Sequence, residues 1–212
     1  MTSGAVHLRP TGFLDADHAA VLAFAREAAD GRVEPTARAI ALYYAVRDGV
    51  RYDVQHIDLR PAAMRASATL ARRTGFCVAK AVLLAAAGRA LGIPTRLGFA
   101  DVRNHLSTAR VRQAMGTDLF VFHGYAELWL DDRWVKATPA FNRTLCDRFD
   151  VDPLEFDGRH DSLFQQADRR GRRYMEYVRD RGAYDDLPLG EIRLAFEQHY
   201  PALMAGGVYV VP

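Results

Sequence analysis

Cysteine is scarce in this sequence, and a long hydrophobic run is missing. The 212 residues include only Cys77 and Cys146, which are too few for a disulfide framework or a zinc finger. The longest apolar run, residues 81–87, is far too short to span a bilayer, and the N-terminus lacks the pattern of a secretory signal. We therefore expect a cytoplasmic protein with no membrane partner, in which cysteines stay reduced.

An excess of charge of one sign is missing as well. The 28 Lys and Arg residues nearly balance the 26 Asp and Glu residues, so nothing supplies a strong field for phosphates, and we expect no nucleic-acid partner. The tract over residues 168–181 is basic, but its acidic members favour a solvated helix face. The ordinary hydrophobic fraction of 50% excludes disorder. We predict a single domain over residues 1–212.

The first part of the chain, residues 13–92, has helical periodicity. Asp15 precedes a helical pattern over residues 16–30, Pro35 opens a second one that stops at Gly49, and a third covers residues 61–72. Residues 77–91 include only Lys80 and Arg89 as charged members. A helix that is apolar nearly all round is expected in the middle of the fold.

After residue 95 the pattern becomes typical of strands. We predict strands over residues 95–102, 119–130 and 133–138, with a short helix over 108–115 and a turn at residues 131–132. The sheet part, residues 95–140, is followed by a loop and helix extension over 142–212, with helices at 171–181 and 189–199. Helices followed by hairpin strands predict an α+β fold.

Cys77 stands at the first turn of the predicted central helix. Unpaired N–H groups and the helix dipole favour the reactive thiolate there, and the same N–H groups can stabilise an oxyanion. The alternative is that Cys77 is a small buried hydrophobic residue. Cys146 has neither a helix start nor a neighbouring histidine, so we interpret it as structural or incidental.

His123 is the candidate partner of Cys77. It interrupts an apolar strand next to Gly124, which allows another element to approach closely. A base on a sheet that faces a cysteine at a helix start is the arrangement needed for acyl transfer, although a hydrogen-bonded core histidine would give the same pattern.

A third residue is expected to orient the imidazole ring of His123. With a two-residue turn at 131–132, Leu130 pairs with Arg133 and Tyr125 pairs with Thr138. This register places Thr138 on the same face as His123, diagonally across the two strands. A slip of one residue would turn Thr138 away.

The stretches RRTGFCVAKAVLLAAAGRALGIPTRLGF and FHGYAELWLDDRWVKATPAF resemble the core of the transglutaminase-like superfamily. In that family a cysteine opens a helix that ends in Gly-Ile-Pro, a histidine starts a strand, and a Trp-containing return strand ends in an aspartate followed by proline. The resemblance covers about residues 65–142. It implies a papain-like core with the helix packed on an antiparallel sheet, with Cys77 as nucleophile and His123 as base.

Thr138 stands where the family usually carries aspartate. Its hydroxyl can accept a hydrogen bond from the ring but has no charge to stabilise imidazolium, and Asn142 is the alternative orienting residue. The side chain that completes the oxyanion hole is left open between Tyr52 and Gln55.

The resemblance implies a cysteine-dependent enzyme that acts on a peptide or small amide substrate through an acyl-thioester on Cys77. We expect hydrolysis of the protease or amidase type, with no cofactor and no metal. An arylamine N-acetyltransferase-like enzyme is one alternative, because residues 73–77 resemble its Arg-x-Gly-x-Cys approach to the helix. A non-catalytic binding module is the other alternative.

Overall fold

The computed structural model describes residues 5–106, 109–204 and 209–210, and its first part is helical. Four helices follow one another there: α1 (Ala19–Ala29), α2 (Pro35–Gly49), α3 (Ala66–Arg72) and α4 (Cys77–Ala90). Short 3-10 turns cover Val6–Leu8 and Pro61–Met64. Between the helices lie the short strands β1 (Arg51–Tyr52), β2 (His56–Ile57) and β3 (Thr74–Gly75), and β1 pairs in parallel with β3.

The second part of the chain forms a four-stranded antiparallel sheet. Its strands are β4 (Thr95–Asn104), β5 (Leu119–Leu130), β6 (Arg133–Ala137) and β7 (Met175–Tyr184), in the order β6-β5-β4-β7. The remaining elements are α5 (Ala109–Met115), α6 (Arg143–Phe149), α7 (Leu189–His199), α8 (Pro201–Met204) and β8 (Tyr209–Val210), which pairs with β2. This arrangement confirms the predicted α+β class. No helix in the described part of the chain is both long and apolar enough to cross a membrane.

Helix α4 is the centre of the fold, as its apolar sequence predicts. Every residue from 77 to 89 is buried, and the helix packs on β5 on one side and on the first three helices on the others. Its buried charges are satisfied by backbone carbonyls: Lys80 donates to the carbonyl oxygens of Arg47 and Val50 at the end of α2, and Arg89 donates to that of Thr95. Those hydrogen bonds make the burial of two charged side chains tolerable.

Gly124 is a point at which the backbone of α4 approaches the sheet closely. A Cβ atom on Gly124 would lie 2.9 Å from the Cα atom of Val78, which is backbone and cannot swing away. Cys77 precedes Val78, and His123 precedes Gly124. The missing side chain therefore brings the start of the helix and the histidine of the strand together.

The helix predicted over residues 171–181 is wrong, because this segment contributes to strand β7. Strand β4 needs a hydrogen-bonding partner on its second edge, and β7 supplies it in antiparallel register, with Leu97 opposite Tyr184 and Asn104 opposite Met175. The buried carboxylate of Asp101 on β4 also pairs with Arg181. This long-range strand pairing outweighs the local preference of the charged tract for a helix.

Two helix boundaries also differ from the prediction. Helix α1 begins at Ala19, with the His18 ring accepting a hydrogen bond from the N–H of Ala20. Asp15, predicted to cap this helix, instead accepts hydrogen bonds from the N–H and hydroxyl of Ser67 at the start of α3. The predicted helix over 61–72 is divided at the extended residue Arg65. Of the predicted helix over 108–115, residue 108 lies outside the described residues.

Replacing Gly124 by Ala tests the close approach of α4 to the sheet. We expect Gly124→Ala to lower the free energy of unfolding by about 1–3 kcal/mol, because the new methyl group meets the backbone of Val78. Denaturant unfolding measures this change. Gly49→Ala is the matched control, since a Cβ on this exposed last residue of α2 has no atom within 4 Å. An equal effect of both substitutions would contradict the close approach.

Candidate functional site

Cys77 and His123 line the same cavity, between the start of α4 and strand β5. The cavity has a volume of about 40 Å³. Both residues are almost fully buried, with 9% of Cys77 and 6% of His123 exposed to solvent. The structure therefore brings the two sequence-predicted residues to one small internal space.

Burial dominates the protonation of Cys77. The backbone N–H groups of Gly124 and Val78 hydrogen-bond to the sulfur and lower its pKa, as the position at a helix start predicts, but burial raises the pKa to about 11. The backbone N–H groups thus favour the thiolate as expected, but the effect of burial is larger. The site holds the sulfur as a thiol at neutral pH.

Burial acts on His123 in the opposite direction. It lowers the pKa of the imidazole to about 4, because the charged form loses its hydration. The ring is therefore uncharged at neutral pH and can accept a proton. The cavity holds a neutral thiol and a neutral imidazole.

The backbone immediately before His123 carries a β-bulge. Phe122 has a positive φ of 53°, and the pairing of β4 with β5 shifts register between residues 100 and 102. The Asp101 carboxylate accepts a hydrogen bond of 3.1 Å from the N–H of Phe122, and the Arg181 guanidinium lies 4.3 Å from the centre of the Phe122 ring. A buried ion pair thus sets the conformation of the residue that precedes His123.

Tyr200 holds the same strand from the C-terminal side. Its hydroxyl accepts a hydrogen bond of 2.6 Å from the N–H of Val121 and donates one of 2.9 Å to the carbonyl of Leu119. Neither Tyr200 nor Asp101 emerged from the sequence as a functional residue. An acidic residue within an apolar predicted strand was the one local signal for Asp101, whereas nothing local marks Tyr200.

The predicted register of β5 and β6 is confirmed. Leu130 pairs with Arg133, and the ladder continues to the pair of Ala126 and Ala137. Thr138 is the residue directly after Ala137. Thr138 is buried, and its hydroxyl has no hydrogen-bond partner among the described residues. The predicted hydrogen bond between Thr138 and His123 is therefore not formed in this structure.

Asn142, the alternative orienting residue, hydrogen-bonds to other residues. Its side-chain oxygen accepts a hydrogen bond of 3.1 Å from the N–H of Tyr52, and its side-chain nitrogen donates one of 2.6 Å to the Thr144 hydroxyl. Both of these hydrogen bonds are made to residues other than His123, so they do not supply the predicted contact of Asn142 with the ring. Asn142 instead fixes the strand that carries Tyr52.

Tyr52, on the short strand β1, reaches the cavity. The parallel pairing of β1 with β3 places Tyr52 opposite Gly75, two residues before Cys77. Tyr52 lines the cavity, and burial, with a further contribution from Cys77, raises the pKa of its hydroxyl well above the ordinary value. Gln55 is exposed and does not line the cavity. Of the two residues left open by the sequence, Tyr52 lies at the site.

Other wall residues come from the middle and from the C-terminal part of the chain. Helix α5 contributes Met115. Helix α7 contributes Phe196, so the C-terminal extension covers the site.

Cys146 lies in a separate apolar cluster with Val151 and Met175. Within the described ranges, no three His, Cys, Asp or Glu side chains are grouped so that they could hold a metal ion.

The geometry agrees with the family to which the chain belongs. The model of the transglutaminase-like superfamily matches residues 22–139, more than half of the sequence, and the chain is a member of that superfamily. This membership confirms the predicted family.

A crystal structure of a protein from Cytophaga hutchinsonii, provisionally named a cysteine protease, is similar to this chain with a TM-score of 0.47 and 16% sequence identity. The similarity covers 84% of this chain and 53% of that protein, so this chain spans about half the length of that protein. No curated protein matches the chain.

The pKa of His123 makes protein stability depend on pH. Its folded-state pKa of about 4 lies below the ordinary 6.5. The contribution of His123 to the free energy of unfolding is therefore complete above pH 6.5 and is lost as the pH falls toward 4. We expect a loss of about 3 kcal/mol from this residue. Denaturant unfolding at several pH values measures it. The His123→Gln variant should show a shallower pH dependence, and an unchanged one would contradict the buried neutral imidazole.

Proposed function

We propose that the protein is a cysteine hydrolase that cleaves amide or peptide bonds through an acyl-thioester on Cys77. The observation that carries the proposal is that Cys77 at the start of the central helix and His123 on β5 border one cavity, in a chain of the transglutaminase-like superfamily. A nucleophile and a base that share a water-poor space are the two groups that acyl transfer requires.

In this proposal His123 acts as a general base during the attack. The thiol and the imidazole are both neutral, so the ring takes the thiol proton as the sulfur–carbon bond forms. The imidazolium then gives this proton to the leaving nitrogen as the carbon–nitrogen bond breaks. Water attacks the thioester, His123 accepts a proton from the water, and the returning thiolate regains it. The products are a carboxylic acid, an amine and the free thiol.

In this proposal, backbone N–H groups from both α4 and β5 stabilise the oxyanion. The N–H groups of Val78 on α4 and Gly124 on β5 lower the pKa of the Cys77 sulfur, so they would act next to the tetrahedral intermediate that forms on it. Tyr52 lines the same cavity. Donors that are already oriented in a dry site stabilise developing negative charge without reorganisation.

A non-catalytic binding module is the second candidate function. It is favoured by the raised pKa of the Cys77 thiol and by the absence of a hydrogen bond between Thr138 and His123. Such a module would alkylate with iodoacetamide at Cys77 no faster than an ordinary thiol, with or without His123. For the hydrolase, we expect the rate of Cys77 alkylation to fall when His123 is replaced.

Replacing each cysteine separately tests the proposed nucleophile. We expect Cys77→Ala to abolish hydrolysis of an anilide or activated ester, and His123→Ala to lower kcat/KM about hundredfold, because the base is lost. Cys146→Ala is the matched control, since Cys146 is buried in another cluster, and it should retain the activity. Rates of hydrolysis, with iodoacetamide labelling followed by mass spectrometry, measure these effects. Equal loss in the two cysteine variants, or labelling of Cys77 that does not depend on His123, would exclude the mechanism.

Two substitutions of Thr138 test the third position of the site. Thr138→Val should leave kcat/KM within about twofold and raise stability by up to about 1 kcal/mol, because it removes a buried hydroxyl that has no partner among the described residues. Thr138→Asp should raise the pKa of His123 and increase kcat/KM about tenfold, because a carboxylate stabilises imidazolium.

The pH–rate profile and denaturant unfolding of both variants provide the measurement. A large loss of activity in Thr138→Val would show that the threonine hydroxyl itself orients His123. A profile that does not move in Thr138→Asp would place residue 138 outside the reach of the ring.

A further inference from the structure

We propose that the cavity beside Cys77 is an acyl-group pocket that takes a small, uncharged, apolar acyl group. The inference rests on the proposed function, since it names the substrate class of the same site. It goes further because it derives specificity from the chemistry and size of the walls.

The walls of the cavity are apolar and carry no permanent charge. Seven of the lining side chains have no polar atom able to hydrogen-bond strongly: Val54, Ile57, Phe76, Met115, Phe120, Val121 and Phe196. The rest are Tyr52, Cys77, His123 and Tyr200, and burial keeps the two titratable groups at the reacting centre neutral. Among the residues that the structure describes, no Asp, Glu, Lys or Arg lines the space. A charged acyl group would be buried without a partner, at a high free-energy cost.

The size of the cavity limits the acyl group further. Its volume is about 40 Å³, whereas a cavity of about 150 Å³ is what accepts benzene in a protein core. The space therefore suits a chain of a few carbon atoms, and we expect an aromatic ring or a long alkyl chain to fit it poorly. Each methylene that fits should strengthen binding about fourfold, from the transfer free energy of a buried CH₂.

The C-terminal helix fixes this size. Phe196 on α7 packs edge-on against Tyr200 with 5.1 Å between ring centres, and the Tyr200 hydroxyl is bound to the backbone of Val121. Two lining residues are thus tied to a third across the cavity. Phe196 cannot swing aside without breaking this packing, so it determines how long an acyl chain can be.

Binding of primary amides to the Cys77→Ala protein tests the pocket without any covalent step. Calorimetry or NMR titration with acetamide, butyramide, octanamide and succinamate gives the affinities. We expect butyramide, with two more methylenes, to bind about sixteenfold more tightly than acetamide. Octanamide and succinamate should bind at least tenfold more weakly than butyramide. Equal or tighter binding of succinamate or octanamide, or no binding of any amide, would overturn the proposal.

Substitutions on α7 in the Cys77→Ala protein test which residue limits the length of the acyl group. Phe196→Ala, or the milder Phe196→Leu if the first does not fold, should shift the preference toward octanamide. Leu194→Ala is the matched control, because this side chain on the same helix is 56% exposed, and it should leave the preference unchanged. A preference that responds equally to both positions would remove Phe196 from the pocket.

The two proposals can fail separately. If amides bind as expected while Cys77 shows no reactivity that depends on His123, the hydrolase is excluded and the pocket remains. If Cys77 turns over esters without preference for short, uncharged acyl groups, the pocket is excluded and the hydrolase remains.

Discussion

The contact between Gly124 and the backbone of Val78 is the constraint on which the site depends. No side chain separates the start of α4 from β5 at this point, so Cys77 and His123, each one residue earlier, reach the same cavity. The remaining structure supports this approach: three helices hold α4 from behind, and the Asp101–Arg181 ion pair and Tyr200 hold the strand from its other side. A larger residue at 124 would disturb the fold and the chemistry together.

The bulge before His123 links the edge of the sheet to the site. Strand β7 contributes Arg181 to the Asp101 carboxylate, and that carboxylate accepts the N–H of Phe122 in its left-handed conformation. Such a conformation is costly for a residue other than glycine and persists where surrounding contacts hold it in place. The edge strand therefore does more than complete the sheet, because it helps to set the direction in which the chain enters residue 123.

Local patterns predict the parts of this fold that local interactions determine. The apolar run after Cys77 identifies the central helix, and the turn at residues 131–132 gives the register of β5 and β6. What the sequence does not reveal depends on distant pairing. Residues 171–181 are predicted as a helix, but the strand over 175–184 completes the sheet beside β4. Asp15 accepts a hydrogen bond at the start of a helix some fifty residues away from it. The family resemblance located Cys77 and His123, but not Phe196 and Tyr200, which cover them.

Burial in the covered site has two opposed consequences. The apolar walls that would select a small acyl group also raise the pKa of Cys77 and lower that of His123, so they keep the pair neutral and the thiol unreactive toward solvent. Because burial is the first cause of both displacements, any opening that admits water must move the two pKa values toward each other. In the proposed hydrolase, a substrate carbonyl that enters the site would meet this neutral pair in a dry environment. A proton transfer coupled to the attack would then need no ion pair beforehand. The missing carboxylate at Thr138 fits this regime, since a buried aspartate would favour the imidazolium that the apolar walls disfavour.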